Sequence, residues 1–279
     1  QRDGRMGACR LPPGPVVAVM SSNDLRVLMY HATFGGEDDL DTIDVADRPY
    51  AVSEADFAKH LSALLDHPYA VVGETAVQQL EEAVPSVLLT FDDGHVSNCR
   101  FVAPWLAERR LSGIFFITTD WTGVRPHYCG PADLRSMHSL GMAIGSHGTS
   151  HRFIADLSLT EARAELQDSK ARLEDILGSE VTSFSFPGGR CTRRDVDLAF
   201  EVGYQAVHGS AFGVHRPGEH ALVNRIPIRL DMSSSTLLEL CEPGSLLYKR
   251  VALSTFLKFT AKRMLGNGVY DAIYRRFAA

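Results

Sequence analysis

From Leu25 onward the chain alternates short apolar runs with longer amphipathic stretches, and this rhythm leaves it very few folds. Strand-like runs begin with Leu25 to His31 and recur at 86–91, 113–117, 142–146, 183–187, 205–207 and 225–228. Helical periodicity fills 54–66, 98–110, 131–140, 159–177 and 194–203. The helix after Ser158 is the clearest. Ser158 and Glu161 stand at capping-box spacing, Ala162, Leu166, Leu173, Ile176 and Leu177 mark an apolar face, and Gly178 stands where a helix stops. Strands separated by helices, without the tight turns of hairpins, pair in parallel through right-handed crossovers. The first three runs are continuously apolar, as strands covered on both faces are. About seven such units predict an α/β chain closed, or nearly closed, into a single barrel.

The 279 residues are 45% hydrophobic and 22% charged, enough apolar material for a core of that size. Residues 1–25, rich in Gly, Pro and small polar residues, are expected to form a loose arm, and 26–244 carry the barrel. Residues 245–279 differ in charge. They hold Lys249, Arg250, Lys258, Lys262, Arg263, Arg275 and Arg276 against Asp271 alone, leaving 21 basic and 33 acidic residues upstream. Leu246, Leu247, Val251, Leu253, Phe256, Leu257, Phe259, Met264 and Leu265 interleave with these cations as in an amphipathic helix. Two roles stay open for it: a helix closing the barrel with a solvated basic face, or peripheral contact with an anionic membrane.

A net charge of -6 argues against nucleic acid as a partner. No stretch reaches the ~18 apolar residues of a membrane span, and the run from Val16 to Met20 is short and flanked by proline. A cytoplasmic protein, membrane-associated only through its tail, is the expectation. Five cysteines at 9, 99, 129, 191 and 241, with no C-x-x-C spacing, read as free thiols rather than a disulfide framework or a thiolate metal site.

Two motifs carry chemistry. In Leu88-Leu89-Thr90-Phe91-Asp92-Asp93-Gly94, adjacent carboxylates follow an apolar strand, which puts them at the catalytic face of a parallel barrel. Neighbours in extended chain point in different directions, so one can ligate a metal while the other faces a substrate. Asp93-Gly94 is also a strong turn dipeptide. In Gly145-Ser146-His147-Gly148-Thr149-Ser150-His151, histidines four apart can reach one ion if the segment turns helically, or can be loop residues satisfied by backbone. Together the motifs offer one Asp and two His, a mixed oxygen and nitrogen set that leaves positions for water and substrate.

With Leu28-Met29-Tyr30-His31, Thr90 to Gly94, Ser146 to His151 and Phe184-Ser185-Phe186-Pro187-Gly188-Gly189 in this order, the chain resembles the polysaccharide deacetylases from about Leu28 to Asp231. The resemblance implies a distorted seven-stranded, TIM-barrel-like (β/α)7 fold with a divalent metal, usually zinc, with cobalt or manganese as alternatives. It implies Asp93, His147 and His151 as ligands, Asp92 as general base, and a backbone N–H near Gly188 for the oxyanion. Pro187, Trp121 and Tyr128 are candidates to line the sugar, the two aromatics being equally suited to loop packing.

The expected reaction is hydrolysis of an N-acetyl group on a glycan or a lipid-linked sugar precursor. Alternatives are a sugar O-acetyl esterase, a cyclic-amide hydrolase, or an inactive sugar- or lipid-binding module. Two departures bear on the choice. The family's third motif starts with an Arg that pairs with the base; here Ser185 holds that position, and Arg190 is the candidate to return the charge. The family's last strand ends in Leu-x-His with an acid histidine, whereas Val223 to Asp231 contains none. His208, His215 and His220 lie just upstream, Arg225 can stabilise charge but not donate a proton, and Asp92 can return the one it takes. The general acid is thus unassigned. His31 and His95 read as packing or polar lining.

Overall fold

The computed structural model describes residues 24–80, 84–218 and 222–265, excluding the side chains of Glu37 and 258–265. The expected N-terminal arm, His220 and the last part of the basic tail lie outside the described residues. The chain opens with β1 (Leu25–Tyr30), a short β2 (Thr33–Phe34), α1 (Glu37–Leu40), β3 (Val52–Ser53), α2 (Glu54–Asp66) and β4 (Ala70–Val72). Strand and helix then alternate: β5 (Ser86–Phe91), α3 (Ala103–Glu108), β6 (Ile114–Ile117), α4 (Pro131–Ser139), β7 (Ala143–Ser146), α5 (Leu159–Leu177), β8 (Ser183–Ser185), α6 (Arg193–Val202) and β9 (Ala206–Phe212). β10 (Val223–Pro227), α7 (Ser234–Cys241) and α8 (Leu246–Leu265) complete it.

Seven strands, β1 and β5 to β10, close into a parallel barrel when β1 pairs with both β10 and β5. The expected α/β barrel is therefore what forms. It is distorted at β5, whose first half pairs with β4 (Ala70 opposite Ser86) while β6 joins only at Thr90 and Phe91. β4 and the separate β2–β3 pair are too short to give a periodic signal in sequence. α5 begins and ends as its sequence dictates: Ser158 and Glu161 cap it reciprocally, and Gly178 terminates it in the left-handed region.

Alternation along the strands sorts side chains into two cores. Leu25, Val27, Leu88, Ile114, Phe116, Ala206 and Val223 point into the barrel and meet Ala76 and Val77 at the end where the strands begin. Their neighbours Leu28, Leu89, Phe91, Phe115, Phe184 and Ile226 pack outward under the helices. Following each inward line toward the strand C-termini changes its character. Leu88 leads to Thr90 and Asp92, Val27 to Met29 and His31, and Val223 to Arg225, Pro227 and Arg229. The barrel is thus apolar below and charged above, and a cleft opens at the charged end.

Candidate metal centre and catalytic cleft

Asp93 leaves β5 with a positive φ of 74°, and His151 adopts 63°; left-handed backbone is uncommon outside glycine and costly enough to mark a functional site. The turn from His147 to His151 is held by Glu165 of α5. This buried carboxylate accepts the N–H groups of Thr149 (2.8 Å) and Ser150 (2.9 Å) and the Ser150 hydroxyl. Both imidazoles then converge on one oxygen: Nε2 of His147 lies 3.3 Å and Nε2 of His151 3.2 Å from Asp93 Oδ1. One ligating atom from each of the three residues falls within a 4.8 Å cluster.

The donor set fits a divalent cation. His147 donates its Nδ1–H to the Ser185 carbonyl (2.7 Å), which leaves Nε2 as a free lone pair aimed at the cluster. Burial alone would push the Asp93 carboxyl up, but the close approach of the His147 and His151 rings, with His31 nearby, holds it well below the usual range. A buried carboxylate flanked by two outward-aimed imidazole nitrogens is an arrangement that a cation satisfies.

Asp92 faces the barrel axis beside this cluster. Its partner is Arg225 from β10, fully buried, donating from Nη1 to Oδ1 (2.7 Å) and from Nη2 to Oδ2 (2.8 Å). The remaining guanidinium donors reach Thr90 Oγ1 (3.2 Å), Ser185 Oγ (2.9 Å) and the Gly209 carbonyl (2.6 Å), so all five N–H groups are used. An irregular register between β9 and β10, where Val223 faces His208 but Arg225 faces Phe212, leaves the Gly209 carbonyl for that last bond. Burial raises the Asp92 carboxyl, yet the charges of Arg225 and His147 and the Arg225 hydrogen bonds outweigh it and bring the pKa down to about 2.

The expected partner Arg190 is elsewhere. It pairs with Asp156 (3.2 Å) and lies over the Phe153 ring, because its backbone leaves the cleft after Gly189. Gly188, with φ 59°, does line the cleft. Pro187 is buried beside Gly148. Trp121 stacks against His151 (4.8 Å) and Tyr128 (4.7 Å) with Arg125 over both rings, so these aromatics buttress a ligand and do not form the cleft wall.

Neither described histidine candidate for the acid reaches the cleft. His208 is fully buried beneath Arg225, and His215 binds the Val77 carbonyl (2.9 Å) at the opposite end of the barrel. His31 does line it, with its ring against Tyr50 (5.0 Å) and its buried Nδ1 without a hydrogen-bond partner among the described residues. Asp47 lines the same wall, its carboxyl raised by burial and by Asp93. His95 is buried beside Ser97 and Tyr128, outside the lining.

The sequence profile of the polysaccharide deacetylases matches residues 80–207, which contain Asp92, Asp93, His147 and His151 in the order just described. Residues 80–207 belong to the polysaccharide deacetylase family. YxkH of Bacillus subtilis (strain 168), a protein named for this family, is 26% identical over 186 residues, covering 65% of this chain and 62% of YxkH. This chain therefore spans about three-fifths of that relative's length. Among solved structures, Streptococcus pyogenes deacetylase PplD in complex with acetate has a TM-score of 0.69 at 22% identity, covering 79% of this chain and 99% of PplD. The de-N-acetylase from Aggregatibacter actinomycetemcomitans has 0.67 at 18%, covering 78% and 99%. At these identities the likeness is one of fold. Where the resemblance implied an Arg this chain has Ser185, and the guanidinium beside Asp92 comes from β10.

Proposed function

We propose that the protein is a metal-dependent deacetylase that hydrolyses an N-acetyl group on a glycan or glycan precursor, releasing acetate and leaving an amine. The observation that carries this reading is the placement of an Asp-His-His cluster next to a carboxylate kept ionised by a buried arginine. Zinc, or cobalt or manganese, held by Asp93, His147 and His151 would polarise the acetyl carbonyl and acidify water. Asp92 is the base: it stays unprotonated through the neutral range and takes the proton of the attacking water. The N–H of Gly188 is suited to receive the developing oxyanion. His31 is the acid we assign, because among the described histidines that do not hold the metal it is the one that lines the cleft; its proton goes to the departing amine nitrogen. The de-N-acetylase from Aggregatibacter actinomycetemcomitans, alike in fold, is named for the same bond type.

Acetate release from N-acetylglucosamine oligomers should vanish with chelator, return on adding zinc, and be absent in Asp92→Asn at unchanged zinc content. Release from acetylxylan with none from the N-acetylated oligomers would replace this reading with the O-acetyl esterase. Zinc binding with no hydrolysis of either would leave the inactive binding module.

A further inference from the structure

The cleft continues past the metal ligands. A cavity of about 850 Å³ runs from Asp92 and Asp93 beyond Arg225 to the face of α8. Asp47, Asp92 and Asp93 are the acids of its lining, and besides Arg225 the same lining has Arg229, which follows β10, and Arg250 of α8 as cations. Neither arginine has a carboxylate partner among the described residues; Arg229 lies over the Tyr50 ring at 5.1 Å. Two guanidinium groups that line one cavity from separate elements without a carboxylate partner offer donors to an oxyanion.

Met232, Leu240, Leu247 and Val251 give the same cavity an aliphatic side, and its aromatic lining is Tyr50, under Arg229, and Phe212. On α8, Leu247, Arg250, Val251, Ser254 and Thr255 share the cleft-facing side at helical spacing. Beside them Leu246, Leu253 and Leu257, at i, i+7 and i+11, form an outer stripe with 80%, 47% and 56% exposure. An apolar ligand leaving the cleft past Arg250 would meet this stripe directly.

We propose that the part of the cavity lined by Arg229, Arg250 and α8 is a subsite for a phosphate ester joined to an aliphatic chain, so that the substrate is an N-acetylated sugar carried on a lipid phosphate. This rests on the deacetylase reading for its reaction but not for its binding. Arg229 and Arg250 take the phosphate oxygens, the aliphatic lining takes the first part of the chain, and the leucine stripe lies where the lipid emerges. The size of the cavity, near the top of the ~300–1,000 Å³ range of ligand sites, suits a sugar with both appendages.

The full chain loaded with zinc is assayed on three probes: prenyl-phosphate-linked N-acetylglucosamine, N-acetylglucosamine 1-phosphate and chitotetraose. The prenyl-phosphate sugar should exceed chitotetraose in kcat/KM at least ~10-fold, and Arg229→Gln with Arg250→Gln should cut that ratio ~30-fold or more, mainly through KM. Both arginines are exposed, and circular dichroism checks that the variant folds. Binding of farnesyl phosphate, which has no acetyl group, is measured by calorimetry on the metal-free protein and should weaken ~10-fold in the double variant. A ratio that the arginines do not move, with farnesyl phosphate binding equally unmoved, overturns the subsite. Equal turnover of the 1-phosphate and the prenyl-linked sugar overturns the apolar half. If no probe releases acetate yet farnesyl phosphate binding still depends on the arginines, the subsite stands and the deacetylase reading falls.

Discussion

Arg225 and Asp92 are separated by 133 residues in the chain and form a bidentate pair in the barrel. Removing the cation strands a buried carboxylate, which costs roughly 3–5 kcal/mol when the partner is lost. Arg225→Met should therefore lower both urea stability and kcat/KM, with the acid limb of the pH–rate profile moving up, since burial without counter-charge favours the protonated acid. Arg225→Lys should fail to restore either, because one ammonium cannot span both Asp92 oxygens, Thr90 and Ser185. An Arg225→Lys enzyme with a native pH profile would refute this account. His31→Gln should reduce amide hydrolysis ~100-fold and ester hydrolysis far less, because an amine leaves poorly unprotonated while an alkoxide needs less help. Equal losses on the two substrates would remove His31 from the acid role. Asp92, Asp93, His147 and His151 were readable because each pair is local, a dipeptide and a four-residue turn. Arg225 and His31 were not, because their importance lies in partners on other strands.

Strand alternation could have found them. Counting by twos from Val27 reaches His31, and from Val223 reaches Arg225 and Arg229, so each sits on an inward line that the apolar pattern already defined. Most helices and strands were legible for the same reason, period and caps being local, whereas the short α1 and α7 were not among the expected elements. β4 was not, as three half-buried residues carry no period, and the shift between β9 and β10 is invisible without both strands. Close packing inside the barrel gives a test at this scale. A Cβ on Gly145 of β7 would stand 2.6 Å from the Phe116 ring and 3.0 Å from the Ser183 carbonyl. Gly145→Val should cost about 1–3 kcal/mol in urea unfolding, with the loss concentrated in the barrel and its metal-bearing turn. Wild-type stability in that variant would mean β7 can move away from β6.

At the scale of the molecule, His60 between Tyr30 and the Met232 carbonyl, His95 beside Ser97, and His208 inside the barrel are buried in neutral form. Burial lowers each, His95 to about 4. The unfolded chain binds these protons near pH 6.5 and the folded chain only at lower pH, so their contribution is intact above 6.5 and is lost as pH falls. For His95 the loss at pH 5 is about 2 kcal/mol. The melting temperature should fall by roughly 5–15 °C between pH 7.5 and 5. A flat profile over that range would show that these imidazoles are solvated. Among the described residues no helix is long and apolar enough to cross a membrane, which leaves α8 and its leucine stripe as surface features.

The closure of the barrel by β10 has a consequence during synthesis. A chain leaving the ribosome has exposed every metal-ligand candidate by His151, but the counter-charge for Asp92 follows only with Arg225. A growing chain thus carries all three metal-ligand candidates while Asp92 is still unpaired. On the deacetylase reading, hydrolysis waits for the strand that seals the fold.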